Sequence, residues 1–151
     1  MHDAAIDILL VEDNRDDAEI TVCAIRKHHA ASRILVVRDG QEALDFLFSE
    51  GPYAGRDLSR GLRVILLDLN LPKVNGHEVL RRVKSDPRTR TIPVVKLTSS
   101  GEKRDIEESY RSGVNSYVVK PVDFDQLVES MRVVGQYWLS QNQLAWAMGS
   151  S

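Results

Sequence analysis

The chain has 151 residues, with 20 Lys and Arg, 22 Asp and Glu, four His and one Cys, so its formal net charge is −2. This length is typical of one domain, which buries about 70% of its unfolded surface without help from a metal or disulfide. A charge near zero without a basic cluster argues against a dedicated nucleic-acid-binding protein. The lone Cys23 argues against a disulfide framework or a multi-cysteine zinc site. No apolar run reaches the roughly 18 residues of a membrane span, so we expect a cytoplasmic protein.

Five short stretches rich in Val, Ile and Leu alternate with longer amphipathic stretches. Because the apolar stretches lack in/out alternation, they predict strands that are covered on both faces, as in a parallel sheet. The predicted strands are 6–11, 34–37, 64–67, 92–97 and 116–119. The predicted helices are 15–29, 41–49, 75–85, 102–112 and 124–140. A strand followed by a helix, five times over, predicts a doubly wound α/β domain.

Local signals support these helix boundaries. An acidic or hydroxyl residue followed three positions later by Glu or Gln is typical of a helix N-terminus. Such pairs are Asp39 with Glu42, Ser99 with Glu102, and Asp123 with Gln126. We predict that Gly51 and Gly113 end the second and fourth helices. The polar, Gly-rich segment 51–61 predicts a long surface loop before the third strand.

Chemically active side chains stand at the carboxyl ends of the predicted strands. They are Glu12 and Asp13, Asp68, Thr98 and Lys120. In an open parallel sheet these ends share one crevice. Three carboxylates there repel one another, so that either one is protonated or a hard cation lies among them, with Mg²⁺ or Mn²⁺ favoured by all-oxygen ligands. Asp68 beside such a metal could attack phosphorus and hold an acyl phosphate.

At this point the chain resembles the receiver domain of two-component response regulators. The pieces that carry the resemblance are Leu9-Leu10-Val11-Glu12-Asp13-Asn14, Leu66-Leu67-Asp68-Leu69-Asn70-Leu71-Pro72, Asn75-Gly76, Leu97-Thr98-Ser99-Ser100, Gly113-Val114-Asn115-Ser116-Tyr117 and Val118-Val119-Lys120-Pro121. They span about residues 6–140 in the right order. The resemblance implies a flavodoxin-like (βα)5 fold with a parallel five-stranded sheet in the order 2-1-3-4-5. It also implies a receiver domain over residues 1–140, followed by a tail at 141–151.

The resemblance also implies a role for each strand-end residue. Asp68 is the implied phosphoacceptor, and a sensor histidine kinase is the implied phosphodonor. The implied ligands of Mg²⁺, or of Mn²⁺, are Glu12, Asp13, Asp68 and the backbone carbonyl of Asn70. The implied switch residues are Thr98, Tyr117 and Lys120, and the implied cis peptide bond joins Lys120 to Pro121. A cis bond needs a proline at that position.

A narrower resemblance concerns the loop before the third strand, the Asp-Leu-Asn-Leu-Pro-Lys sequence that begins at Asp68, and Tyr137-Trp138-Leu139. These features are similar to the small stand-alone regulators that partner bacterial and cyanobacterial phytochromes. A phytochrome-type kinase is therefore the implied input, and a histidine phosphotransfer protein is a further candidate partner. The implied protein is a signalling protein rather than an enzyme, catalysing only its own phosphorylation and dephosphorylation.

Two alternatives belong to other functional classes. A Mg²⁺-dependent phosphatase of the haloacid dehalogenase type also uses a strand-end Asp nucleophile, but its second acid two positions on is here Asn70. A phosphorylation-independent pseudo-receiver would have lost the acceptor or a metal-binding acid, and none is lost here. At single residues, the alternative for Tyr117 is a core aromatic without a switching role.

Two positions depart from the common receiver pattern: Lys96, and Asn70, which lies two positions after Asp68. Lys96 lies in the fourth predicted strand, where receivers usually carry an apolar residue, and a buried lysine is costly unless it is paired or reaches solvent. At and past the end of the last predicted helix, little apolar surface remains for the large side chains to pack against. We therefore expect a homodimer or partner interface there, formed by Trp138, Leu139 and Trp146. The alternatives are folding back onto the monomer and disorder.

Overall fold

The structure is a computed structural model that describes residues 5–55, 61–68 and 76–144. The strands are β1 (Ile8–Glu12), β2 (Ile34–Val37), β3 (Val64–Asp68), β4 (Val94–Thr98) and β5 (Ser116–Val119). The helices are α1 (Arg15–Arg26), α2 (Gly40–Leu47), α3 (Gly76–Ser85), α4 (Lys103–Arg111) and α5 (Phe124–Gly135). All ten predicted elements are therefore present, and β2 and β5 have the predicted bounds. None of the helices in these ranges is both long enough and apolar enough to cross a bilayer.

The five strands form one parallel sheet in the order β2-β1-β3-β4-β5, which confirms the predicted flavodoxin-like topology. Chain order reverses between β1 and β3, because β2 lies on one side of β1 and β3 on the other. The register pairs Ile8 with Val64 at one end of these two strands and Glu12 with Asp68 at the other. The reversal therefore opens a crevice at the carboxyl ends, and Glu12 and Asp68 lie directly in it.

Successive residues of the central strands point to opposite faces, which divides the core into two layers. Leu9 and Val11 of β1 pack with α2 and α3 on one face, whereas Ile8 and Leu10 pack with α1 and α5 on the other. β1 and β3 are fully buried, since each carries a helix layer on both sides. This burial explains the unbroken apolar runs in the sequence.

Two of the three predicted helix caps are confirmed. The Asp39 side chain accepts a hydrogen bond from the Glu42 amide at 2.8 Å, and Asp123 accepts one from the Gln126 amide at 3.2 Å. The Ser99 prediction is wrong, because α4 begins after Glu102 without a side-chain cap. The β4–α4 loop continues through Ser100 and Gly101, so Ser99 lies too far upstream to reach the first turn.

One of the two predicted glycine stops is confirmed. Gly113 follows the C-cap of α4 with φ +103°, a conformation that glycine adopts without strain. Gly51 does not end α2, since Ser49 takes the left-handed position there with φ +55°. The Glu50 amide then donates to the Asp45 carbonyl at 2.8 Å, as in a Schellman motif. Gly51 instead begins a 3₁₀ turn, Gly51–Tyr53, inside the predicted loop.

The last predicted helix ends earlier than expected. α5 stops at Gly135, and a π-helical segment, Gln136–Gln141, continues from it. Trp138 and Leu139 pack against the α1/α5 core layer, and Leu144 is buried. Both side chains remain partly exposed, so the prediction that Trp138 and Leu139 form an interface stays a prediction. Trp146, the third predicted interface residue, lies outside the described residues.

Candidate functional site

Two carboxylates lie side by side where β1 and β3 end. Glu12 and Asp68 are register partners, and each is only 1% exposed. Asp13 follows Glu12 directly and is partly exposed. Parallel pairing brings equivalent strand ends to the same edge, so the sheet itself places these acids together. The three predicted acids thus converge. Glu12 and Asp68 are buried, unlike the solvated carboxylates that strand ends often carry.

Lys120 reaches the same point from the end of β5. Its Nζ contacts Asp68 Oδ2 and lies 3.8 Å from Glu12 Oε1. The Lys120 amide donates to the Thr98 carbonyl at 2.6 Å, which fixes the base of the side chain beside β4. The Lys120 ammonium group therefore faces two carboxyl groups, those of Asp68 and Glu12.

Several carboxylate oxygens at this site have no hydrogen-bond donor among the described residues. These buried atoms are Glu12 Oε1, Glu12 Oε2, Asp13 Oδ1 and Asp68 Oδ1. Buried polar atoms in proteins almost always have a partner, so a group of acceptors without a donor indicates a site for water or a cation. The chemistry of this donor set, oxygen only, fits a hard divalent cation.

The electrostatics of the site are set by burial. Burial, followed by the charge of Asp68, raises the pKa of Glu12 from 4.5 to about 8. Burial also raises the pKa of Asp68, although the hydrogen bond from Lys120 opposes this effect. For Lys120, burial acts to lower the pKa, but the contact with Asp68 holds it above its usual value. The contact between Asp68 and Lys120 therefore lies beside a Glu12 carboxyl group that holds its proton more tightly than usual.

The metal ligands that the sequence implies stay a prediction. Within residues 5–55, 61–68 and 76–144, no three His, Cys, Asp or Glu side chains are arranged as metal ligands. The Lys120 ammonium contacts Asp68 and supplies the positive charge there. Asn70, predicted to offer its backbone carbonyl, lies outside the described residues. Mg²⁺ commonly needs only one or two carboxylates together with waters and phosphate oxygens, so the orphaned acceptors of Glu12, Asp13 and Asp68 remain suitable.

Thr98 and Tyr117 occupy different parts of the site. Thr98 ends β4 and is buried, and its Oγ1 accepts a hydrogen bond from the Ser100 amide at 3.3 Å. Tyr117 lies on β5 and points toward α4, where its hydroxyl contacts the Ser100 carbonyl at 2.6 Å and Asp105 Oδ2. Burial and the contact with Asp105 raise the Tyr117 pKa to about 12. Ser100 thus contacts both predicted switch residues.

The peptide bond between Lys120 and Pro121 is trans, because the described residues contain no cis peptide bond. The predicted cis bond is therefore wrong for this structure. A proline permits the cis form without requiring it, and trans is favoured by about 0.5–1 kcal/mol.

Lys96 has partners that the sequence did not identify. It is 9% exposed, and its Nζ donates to Asp105 Oδ1 at 3.0 Å and to Ser109 Oγ at 3.1 Å. Asp105 also contacts Tyr117, so that all four residues form one network, which we call the Lys96 network: Lys96, Asp105, Ser109 and Tyr117. The signal in the sequence was a lysine in an apolar strand, which needs a buried partner, and an acid in the first turn of the next helix.

An apolar surface adjoins the site between α1 and the start of α5. It surrounds a pocket of about 550 Å³ whose lining includes Lys120 and Pro121 as well as Ile20, Val122 and Phe124. Ile20 and Phe124 are partly exposed and Val122 is fully exposed. Large apolar side chains that share an exposed surface favour a partner-binding role.

Comparison with known proteins gives the family. The model described as the response regulator receiver domain matches residues 8–132. The probable methanogenesis regulatory protein FilR2 of Methanothrix harundinacea is 44% identical over 137 residues, covering 90% of this chain and 85% of that protein. Response regulator Rcp1 of Synechocystis is 36% identical over 132 residues, covering 87% and 88% respectively.

Solved structures agree. The phosphorylated cyanobacterial phytochrome response regulator RcpA superposes with a TM-score of 0.82 at 40% identity, covering 94% of this chain and 99% of that one. The bacteriophytochrome response regulator RtBRR gives a TM-score of 0.74 at 48% identity, covering 93% and 84%. The chain therefore belongs to the response regulator receiver family, which signals by phosphorylation in two-component systems, and it is similar to the phytochrome response regulators.

Proposed function

We propose that Asp68 is the phosphoacceptor of this receiver and that a sensor histidine kinase of the phytochrome type is its phosphodonor. One observation carries the proposal: Asp68 is buried beside a lysine through Oδ2, while its Oδ1 has no donor. A carboxylate that is held rigidly and partly desolvated, with one oxygen unengaged, is suited to attack phosphorus. The similarity to RcpA and RtBRR supports the choice of kinase.

The chemistry is a transfer between two nucleophiles. The bond between phosphorus and the histidine nitrogen of the kinase breaks, and a bond between phosphorus and an Asp68 oxygen forms. Lys120 loses its contact with Asp68 and pairs with a phosphoryl oxygen, and the Thr98 hydroxyl donates to another. Because Lys120 already lies beside Asp68, a positive charge is close to the reacting oxygens before transfer begins.

A divalent cation completes the site, and we propose Mg²⁺, with Mn²⁺ as a substitute. Glu12, Asp13 and Asp68 would hold it, together with the carbonyl of Asn70. When bound, it neutralises charge on the transferring phosphoryl group. The orphaned oxygens support this assignment, as does the existence of a Mn²⁺-bound form of Rcp1, a protein similar to this chain.

The kinase would dock on the apolar surface beside the site. Ile20, Val122 and Phe124 adjoin Lys120 there, so a helix packed on them places its histidine near Asp68. A charge on this surface would block docking without touching the reacting groups. Val122→Asp is the sharpest variant because Val122 is fully exposed, so that the change does not disturb the core.

Intact mass after incubation with Mg²⁺ and acetyl phosphate or phosphoramidate tests the acceptor. We expect a hydroxylamine-labile phosphoryl adduct that is absent with EDTA and in Asp68→Asn. Asp86→Asn is the matched control, because Asp86 is an acid paired with Arg88 away from the site. An adduct that persists in Asp68→Asn would overturn the assignment. No adduct on a folded, Mg²⁺-binding chain would indicate a pseudo-receiver, and turnover of p-nitrophenyl phosphate would favour a phosphatase.

Transfer from the kinase domain of a phytochrome-type histidine kinase tests the partner. We expect Val122→Asp to lose this transfer while it retains phosphorylation by acetyl phosphate. Val133→Asp is the matched control, since Val133 is exposed on α5 and does not line the pocket. Equal transfer to both variants would overturn the docking surface. A histidine phosphotransfer protein would use the same surface.

We also propose that residues 1–140 form the receiver, that 141–151 form a tail, and that phosphorylation promotes a cytoplasmic homodimer. Besides Trp138 and Leu139, which remain partly exposed, the candidates are exposed apolar residues of α4, β5 and α5: Tyr110, Val119, Val133 and the following Tyr137. Sedimentation of the two forms tests the dimer, and identical sedimentation would overturn it.

A further inference from the structure

We propose that Lys96 is a positioning residue that restrains the switch in the unphosphorylated protein. It acts through Asp105 on Tyr117, and through Tyr117 on the loop that carries Thr98. The inference rests on the proposed function of Asp68 and deepens it, because it names what opposes the switching of this chain. The three contacts that carry it are Lys96 to Asp105, Asp105 to Tyr117, and Tyr117 to the Ser100 carbonyl.

The first step concerns how α4 is held on the sheet. Ser109 is its one buried side chain, and this residue contacts Lys96 rather than an apolar layer. The other helices bury several apolar or small side chains each. α4 is therefore attached mainly through polar contacts, and the Lys96 ammonium provides two of them. Removing that ammonium group therefore loosens the attachment of α4 to the sheet. The effect is larger than losing one contact would have on a helix that is held by several apolar side chains.

The second step concerns Tyr117. Lys96 and Tyr117 are register partners on β4 and β5, so both side chains leave the same face of the sheet. The Lys96 Nζ lies 5.7 Å from the centroid of the Tyr117 ring. Asp105 accepts from both residues, through Oδ1 and Oδ2 respectively. Although burial acts to raise the pKa of Asp105, the hydrogen bonds from Tyr117 and Lys96 hold it below its usual value, so it stays a charged acceptor. Lys96 thus holds Asp105 in place, and Asp105 in turn holds the Tyr117 hydroxyl.

The third step joins Tyr117 to the reaction site. Its hydroxyl contacts the Ser100 carbonyl, and the Ser100 amide in turn donates to Thr98 Oγ1. If the Thr98 side chain shifts toward a phosphoryl group on Asp68, the hydrogen bond from the Ser100 amide to its Oγ1 opposes the shift. If Ser100 moves with Thr98, its carbonyl moves relative to the Tyr117 hydroxyl that contacts it. The Lys96 network therefore stabilises the arrangement that phosphorylation has to break.

The test compares rates of phosphorylation by acetyl phosphate with Mg²⁺ in the full chain. We expect Lys96→Met to be phosphorylated at least about fivefold faster than the parent, a ratio at the low end of typical coupling. Lys84→Met is the matched control: Lys84 is also partly buried, but its ammonium contacts carbonyl and amide oxygens away from the site. An unchanged or slower rate for Lys96→Met, or an equal gain for Lys84→Met, would overturn the proposal.

A double-mutant cycle separates positioning from general loosening. If Lys96 acts through Tyr117, Lys96→Met should produce no further change in rate in a Tyr117→Phe background. Additive effects of the two substitutions would contradict the proposal. Asp105→Asn replaces Lys96→Met if the latter does not fold, and the same gain in rate is expected because the restraint is broken at its second contact.

A spectroscopic arm is independent of phosphorylation. The chain has four tyrosines, so fluorotyrosine labelling gives a small set of fluorine resonances, and Tyr117→Phe identifies the one of interest. We expect this resonance to shift in Lys96→Met and not in Lys84→Met. If the parent protein accepts no phosphoryl group, the proposed function fails, while this arm still decides whether Lys96 positions Tyr117.

Discussion

The buried Glu12 carboxyl should make the metal-free protein less stable as the pH rises. Its pKa is 4.5 ordinarily and about 8 in the folded protein, a difference of about 3.5 pH units. At about 1.4 kcal/mol per unit, ionising this group in the folded state costs about 5 kcal/mol relative to the unfolded chain. Because the folded pKa is raised, the contribution of this group to stability is fully present below pH 4.5 and is lost as the pH rises through about 8.

Glu12→Gln removes this titration while keeping the shape of the side chain. We expect the variant to be more stable than the parent by about 1 kcal/mol near pH 5 and by about 4 kcal/mol near pH 8. The assay is urea unfolding in EDTA, followed by tryptophan fluorescence. Glu19→Gln is the matched control, because Glu19 lies on the exposed surface of α1. Parallel pH profiles for the parent and Glu12→Gln between these two values would refute the reasoning.

Three further predictions concern charge, metal and packing. Lys120→Met leaves Asp68 buried without its counter-charge and should lower the free energy of unfolding by about 3 kcal/mol in urea at neutral pH, whereas adding Asp68→Asn should restore part of it. The increase in melting temperature caused by Mg²⁺ should be larger at about pH 9 than at about pH 6, because Glu12 must lose its proton before binding the cation; equal increases would contradict this. Leu144→Ala should lower the free energy of unfolding in urea by about 2–5 kcal/mol, because Leu144 is buried. Val133→Ala, at an exposed position, should lower it by about 0.5 kcal/mol or less. A loss below about 1 kcal/mol for Leu144→Ala would show that the segment after α5 is not packed as described.

The fold could be predicted almost fully because its signals are local. Apolar runs without alternation define strands that are buried on both faces, and the structure places β1 and β3 in that environment. Errors arose where tertiary contacts override local preference. His29 approaches α5 closely at Gly135, where a Cβ atom would lie 2.3 Å from the imidazole ring of His29. The π-helical segment begins directly after this point. Nothing in the sequence around residue 135 indicates this contact with the loop that follows α1.

The site was predictable to a different extent at each residue. Glu12, Asp68 and Lys120 were found because they end strands, and parallel topology brings strand ends together. The partners of Lys96 were not found, since Asp105 and Ser109 lie on α4 and become neighbours of β4 only after the helix packs. Lys96 itself indicated that a buried partner was needed. Which residues of α4 would be the partners depended on how the helix is rotated about its axis, and the sequence does not show this.

The acids at the strand ends and the Lys96 network differ in their balance of charge. The β4–α4 loop lies between these two clusters. At the strand ends, three acids face one ammonium, so negative charge is in excess, and a cation improves the balance. In the Lys96 network, one acid is matched by one ammonium, and the cluster is balanced without a ligand. Adding a phosphoryl group changes only the first cluster, because it redirects Lys120 and attracts Thr98. The charge of the Lys96 network stays the same, so its resistance to the movement of Thr98 does not depend on phosphorylation. A change at Lys96 should therefore alter how readily the protein switches, while leaving the chemistry at Asp68 intact.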